Sequence, residues 1–222
     1  MENVSPEKNC DKKIIMSVKR GTYRNDDPEK EHSDERFKTV RLSVLDKSDY
    51  TCHYCEIKSK KYLEVHHKND DHSCNDESNL LPICPLCHAP FHIGYSGIKK
   101  KGVIIYTKSI SQINLNILVR TLWVAQDGND PKVKDFADNL LSQLRQKERV
   151  AKELLTNDPI MLASQLSNLN DDNYKERESR LDGYLFLPFK EAFLQPLEYW
   201  KENIYKHTPP SSWAGVIKDI EF

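Results

Sequence analysis

Two pairs of cysteines are the residues of this chain whose type and spacing most clearly support chemistry. Cys52 and Cys55 form one C-x-x-C pair, Cys84 and Cys87 form another, and 28 residues separate the pairs. The C-x-x-C spacing lets two thiolates of one short turn reach the same ion, and two such turns complete a tetrahedral site with Zn–S distances of about 2.3 Å. Such a site has no open position, so we expect one structural Zn²⁺ per chain. Free thiols or a redox dithiol are the alternative for these pairs.

Histidines and an asparagine accompany the cysteine pairs in a fixed order. His66 and His67 are adjacent, Asn79 lies shortly before the second pair, and His88 directly follows its last cysteine. Together with the cysteines, this order resembles an HNH endonuclease module over about residues 36–95. The resemblance implies a ββα fold that is held together by zinc.

The resemblance to HNH nucleases implies a role for each of these four side chains. His66 and His88 match the ligands of a catalytic divalent metal, and His67 matches the general base that takes a proton from the attacking water. Asn79 matches the residue that orients the hairpin through backbone hydrogen bonds. The implied reaction is hydrolysis of a DNA phosphodiester, with the cation offsetting the growing negative charge.

Three features favour a scaffold over an active nuclease. The candidate second metal site takes two imidazoles and no carboxylate from the motif, whereas Mg²⁺ prefers oxygen ligands, so the site suits a softer transition ion. Lys68 follows the candidate base, where its charge repels a cation, and the loop from Asp70 to Glu77 is acidic enough to repel phosphate. We therefore expect a structural role, with a metal-dependent HNH endonuclease as the alternative. A zinc-stabilised regulator that binds nucleic acid without cutting it is a third hypothesis.

Short strands and helices must bring these residues together. The sequence pattern predicts an edge strand at 14–16, a charged loop at 20–35, a helix at 36–45, a strand at 62–67, a hairpin loop at 68–78, a return strand at 79–83, a helix at 87–93 and a β-rich run at 102–106. After about residue 109 the apolar spacing becomes helical, and Asp158-Pro159 is a typical helix start.

The fold class that follows is α+β, an HNH-like ββα zinc module with an all-cysteine site and a helix-rich C-terminal extension. We expect an N-terminal strand and charged loop over residues 1–35, the zinc module over 36–109 and the helical extension over 110–222.

Composition limits the classes of partner. The chain has 222 residues and a net charge of −1, with 33 basic and 34 acidic residues. A nucleic-acid-binding protein usually shows a clear basic excess, so this balance argues against nucleic acid as the main partner. No apolar run approaches the roughly 20 residues that cross a bilayer, so we expect a cytoplasmic protein without direct membrane insertion. Cys10 and Cys74 lack metal-ligand spacing, and no role is assigned to them.

The whole chain also resembles the IcmJ (DotN) family of Dot/Icm type IVB secretion systems. The length, the core of four cysteines with its histidines and asparagine, and the segment from Ser111 to Ala125 carry this resemblance. It implies a structural adaptor, peripheral to the inner membrane, that binds the type IV coupling ATPase. It also implies that small acidic adaptor chaperones join the complex, which recruits effector proteins for export.

Overall fold

The structure is a computed structural model that describes residues 12–20, 30–71, 73–207 and 210, without the side chains of 30–36. The helices are α1 (Lys30–Lys47), α2 (Pro85–His88), α3 (Ile93–Ile98), α4 (Gln112–Gln126), α5 (Pro131–Leu154), α6 (Pro159–Ser167), α7 (Asp171–Lys175), α8 (Arg177–Arg180) and α9 (Leu194–Asn203). The strands are β1 (Glu64–His67), β2 (Leu80–Ile83), β3 (Gly102–Tyr106) and β4 (Tyr184–Pro188). Mixed helices and small sheets confirm the predicted α+β class.

The described residues form two separate two-stranded antiparallel sheets. In the first, β1 pairs with β2, so that His66 lies opposite Leu81. Helix α2, a 3₁₀ turn over Ala89–His92 and α3 follow this hairpin directly. In the second sheet β3 pairs with β4, with Ile104 opposite Phe186. The division that the sequence predicts at residue 109 therefore separates the two partner strands of this sheet.

Helix α4 lies at the centre of the core. It begins at Ser111, whose hydroxyl accepts a hydrogen bond from the Asn114 backbone N–H, as an N-cap serine does. Most of its apolar side chains are buried and the others are half-buried, and the helix packs against α2, α5, α9 and β4. Three polar side chains of α4 are also buried: Gln112, Asn116 and Arg120. Burial of polar groups requires hydrogen-bond partners, and these three side chains find partners at the paired cysteines and at β4.

The N-terminal residues differ from the predicted arrangement. Residues 14–16, predicted as an edge strand, have no strand assignment, although the next residue, Ser17, exchanges backbone hydrogen bonds with Pro90 and Ile93. Helix α1 begins at Lys30, inside the segment predicted as a charged loop. Cys10 lies outside the described residues. None of the described helices combines the length and the apolar character that a bilayer span requires.

Candidate metal sites

Two turns bring the four paired cysteines together. Cys52 and Cys55 lie in the turn after α1, where the Cys52 N–H donates to Ile57 O and the Glu56 N–H donates to Cys52 O. Cys84 is the N-cap of α2 and Cys87 lies within that helix. All four side chains are buried, with 0–7% exposure. The sulfur atoms lie within 4.8 Å of one another, and Cys55 Sγ and Cys84 Sγ are 3.5 Å apart.

The donor set fits a tetrahedral metal site. Four sulfurs around one zinc at about 2.3 Å stand about 3.8 Å from each other, close to the spacing that the cluster has. The Cys84 backbone N–H lies 3.3 Å from Cys52 Sγ, an orientation that stabilises a thiolate. These four residues can therefore hold one metal ion, as their spacing predicts.

A buried cation stands beside the cluster. Arg120 of α4 is 6% exposed, and its Nη1 donates to Cys55 Sγ at 3.3 Å. Its Nε donates to the Tyr205 hydroxyl at 2.9 Å. Contact with the Cys52 sulfur, then with the two other thiols and the Arg120 charge, holds the pKa of Cys55 far below its usual value. Although burial opposes the charged form of Arg120, the negative Cys55 sulfur raises the pKa of the guanidinium.

An amide supports the second cysteine pair in the same way. Asn116 lies one helical turn before Arg120, and its Nδ2 is 3.5 Å from Cys87 Sγ and 3.2 Å from Leu86 O. Burial raises the pKa of the neighbouring Cys84 thiol. Deprotonation of such a thiol is favoured when a metal replaces its proton. Helix α4 thus supplies a donor to one sulfur of each cysteine pair.

Three imidazoles form a second cluster outside the cysteine site. His66 of β1, His88 of α2 and His92 of the following 3₁₀ turn each place a ring nitrogen within 4.8 Å of the others. The Nε2 atoms of His88 and His92 are 3.0 Å apart. Imidazole ligands suit Zn, Ni or Cu better than Mg²⁺, so the trio can hold a transition ion. Sequence reasoning identified His66 and His88 but missed His92.

The signal for His92 is its spacing from His88. Residues four apart lie on the same face of a helix, so an H-x-x-x-H pair directs two imidazoles to one point. The other nitrogen of His88, Nδ1, contacts the Glu64 carboxylate. A carboxylate in that position orients a histidine ligand and fixes its tautomer. Burial opposes ionisation of Glu64, but the hydrogen bond with His88 prevails and lowers the pKa of the carboxyl.

His67 lies apart from the histidine trio, because successive side chains of a strand point to opposite faces. Its ring is buried, stacks on Phe37 at 5.4 Å between centroids, and has Nε2 3.0 Å from Asn75 Oδ1. Asn79 closes the hairpin loop: its Nδ2 donates to Cys74 O at 2.9 Å and to the Asn69 side chain at 2.8 Å.

Two other residues that the sequence singled out lie in or beside that loop. Cys74 is half-buried, with Sγ 3.8 Å from Asp76 Oδ2, and it joins neither metal cluster. Lys68 is exposed directly after β1. The structure thus separates the predicted site residues into a cysteine cluster, a histidine trio and the hairpin pair His67 and Asn79.

Comparison with known proteins finds a similar curated protein. No protein-family model matches the chain. Among curated proteins, the chain is similar to the Type 4 apparatus protein DotN of Legionella pneumophila, with 26% identity over 200 residues. The aligned region covers 86% of this chain and 89% of DotN, so the similarity spans both the cysteine cluster and most of the C-terminal half. The chain is therefore a homologue of DotN, in agreement with the resemblance that its sequence shows to the IcmJ (DotN) family.

Proposed function

We propose that this chain is a structural subunit of a type IVB secretion apparatus. The observation that carries the proposal is its similarity to DotN, a Type 4 apparatus protein, over nearly the full length of both chains. Within such an apparatus, the chain binds the coupling ATPase and helps to assemble the platform that recruits effector proteins. Small acidic adaptor chaperones complete this complex. The chain works in the cytoplasm and is held at the inner membrane through its partners.

The four cysteines hold one structural Zn²⁺ in this proposal. A buried all-thiolate donor set supports zinc, because the set is closed and leaves no position for substrate. The ion links the turn after α1 to the start of α2, and its binding energy becomes folding energy. The hairpin of β1 and β2 followed by α2 supports the assignment of an HNH-like ββα module to this region.

A metal-dependent HNH endonuclease is the second candidate function. The histidine trio favours it, since three imidazoles can hold the ion that such a reaction needs. The surroundings of His67 favour the scaffold: the ring is 4% exposed, and one nitrogen contacts the Asn75 amide oxygen. A general base must reach the proton of an attacking water, directly or through one further water. The scaffold is therefore the function that these contacts support better.

Binding to the purified soluble part of the coupling ATPase tests the proposed function. The two proteins are mixed at micromolar concentrations and analysed by size-exclusion chromatography and calorimetry. We expect one stable complex, and the absence of a complex at tens of micromolar would overturn the proposal. Elemental analysis should give one zinc per chain.

Incubation with plasmid DNA and Mn²⁺, Ni²⁺ or Mg²⁺ tests the second candidate. We expect no cleavage. Cleavage that disappears in the His67→Ala variant would establish the nuclease instead.

A further inference from the structure

Helices α3 and α6 pack against each other as closely as the two glycines of α3 allow. A Cβ atom placed on Gly97 would lie 2.7 Å from Ile160 Cγ1, and one placed on Gly94 would lie 3.1 Å from Ala163 Cβ. The two backbones therefore meet directly, and only the absence of these side chains permits the contact. The large apolar side chains on either side of the contact are left to the surface.

Four of those side chains form what we call the apolar strip: Tyr95, Ile98, Ile160 and Met161. Each is between 50% and 68% exposed. Tyr95 and Ile98 are three residues apart on α3 and share one face of that helix. The Ile160 side chain of α6 lies over Gly97, the residue that precedes Ile98 on α3. This contact joins the exposed side chains of the two helices into one surface. The strip exposes roughly 400 Å² of largely apolar surface, in the size range of functional patches on single chains.

Positive charge borders the apolar strip on one side. Lys99, Lys100 and Lys101 directly follow α3, and the Lys99 and Lys101 ammonium groups lie 5.8 and 5.0 Å from the Tyr95 ring centroid. Within the described part of the chain, these three lysines form no ion pair with a carboxylate.

The nearest carboxylates in sequence on the α6 side are already engaged. Asp158 caps α6 by accepting from the Ile160 N–H at 2.8 Å, and Glu153 pairs with Arg149.

Lys101 also attracts the Glu64 carboxylate, whose pKa it helps to lower, but Lys99 and Lys100 have no such partner among the described carboxylates that are paired. The strip thus combines exposed apolar side chains with a net positive border.

We propose that the apolar strip binds an amphipathic helix of a protein partner whose apolar stripe is flanked by Asp and Glu residues. An apolar stripe covers the four side chains, and its acidic border meets the three lysines. Partner helices of this kind use apolar anchors at i, i+3, i+4 and i+7, a spacing that suits a surface made by two packed helices. The proposal rests on the proposed function, which makes the coupling ATPase the protein that carries the helix.

Binding of the full-length chain to the soluble part of the coupling ATPase, measured by calorimetry, tests the proposal. Ile98→Asp and Met161→Asp should each weaken binding at least about tenfold, because they place a charge among the anchors. Lys99→Glu combined with Lys100→Glu should weaken binding at low salt and flatten its salt dependence. The matched control is Phe136→Asp on α5, since Phe136 is 54% exposed but lies outside the strip, and it should change affinity less than twofold. Circular dichroism verifies that each variant is folded.

Three results would overturn the proposal, and they are distinguishable from one another. If the wild-type chain binds the ATPase and both aspartate variants bind equally well, the proposed function stands and the strip is not the docking surface. If the wild-type chain does not bind the ATPase, the proposed function fails as well. If the wild-type chain is a dimer that Ile98→Asp converts to a monomer, the strip binds a second copy of this chain instead.

Discussion

Replacement of Arg120 by methionine should weaken metal binding at the four-cysteine site, which we propose holds zinc, without removing any of the four cysteines. Four thiolates around Zn²⁺ carry two net negative charges, and here they lie in the core beside α4. Arg120 is the buried cation that contacts them, with Nη1 3.3 Å from Cys55 Sγ. Methionine has a similar length and no charge, so the variant removes the charge while keeping most of the packing.

The magnitude follows from the burial of both partners. Removing one partner of a buried charge pair destabilises a protein by about 3–5 kcal/mol, because the remaining charge loses its compensation. Methionine packing recovers part of this loss, so we expect the zinc-loaded Arg120→Met variant to be less stable by about 3 kcal/mol. A loss of that size in the metal-bound state corresponds to about 100-fold weaker zinc binding. Arg120→Lys keeps the charge but not the forked geometry, so its zinc affinity should lie between those of the wild-type protein and the Arg120→Met variant.

Competition with a chromophoric chelator measures the zinc affinity, and thermal unfolding of the loaded and stripped proteins measures stability. The matched control is Arg149→Met, which removes an exposed guanidinium paired with Glu153 and should leave zinc affinity unchanged. Wild-type zinc affinity in Arg120→Met would refute the charge argument. Equal destabilisation of the loaded and stripped proteins would show that Arg120 acts through packing alone.

Three further predictions concern the cysteine cluster, the histidine trio and a surface carboxylate. Cys84→Ser should unfold residues 50–95, because a closed zinc site contributes folding energy of order 10 kcal/mol; protease resistance equal to wild type would contradict this. His92→Ala should weaken binding of added Ni²⁺ at least about tenfold while His67→Ala does not, and equal losses in calorimetry would contradict the trio. Burial opposes ionisation of Asp127, but hydrogen bonds from two lysine ammonium groups prevail and lower its pKa. A lowered carboxyl pKa gives stability that is present above the unfolded value of about 4 and is lost as pH falls through the folded value. Asp127→Asn should therefore destabilise the protein by about 1 kcal/mol at pH 7 and by little below about pH 3; in urea titrations, a difference that persists at low pH would contradict the assignment.

Local chemistry explains which parts of the molecule could be predicted from the sequence. The cysteine cluster requires only that two short turns meet, and the C-x-x-C spacing specifies both turns. The first hairpin also carries local signals, since residues 62–67 alternate and 79–83 form a short apolar run; the structure places its strands at Glu64–His67 and Leu80–Ile83. Asp158 is the N-cap of α6, as its position before Pro159 predicts.

Long-range pairing explains what the sequence did not predict. Strand β4 lies in a segment whose aromatic residues indicate only a large apolar surface, and its partner β3 comes about 80 residues earlier. A short apolar run has no signal for a partner so far away, because strand pairing depends on the tertiary fold. His92 differs from β4 because its signal, the spacing of four residues from His88, is local. It lies outside the positions that match the HNH motif, so the resemblance does not indicate it.

The buried polar stripe of α4 links the two halves of the chain. Gln112, Asn116 and Arg120 are spaced four residues apart, so they share one face of a helix whose other positions are largely apolar. At one end, the Phe186 N–H of β4 donates to Gln112 Oε1 at 2.7 Å; at the other, Arg120 contacts Cys55. A stripe of this kind on an exposed helix would face water. Here the stripe is buried because the cysteine sulfurs require hydrogen-bond donors in the core, and the Phe186 N–H of β4 requires an acceptor there. The extension after residue 109 therefore completes the surroundings of the cysteine cluster, and a metal bound by the four cysteines would stabilise α4 in turn.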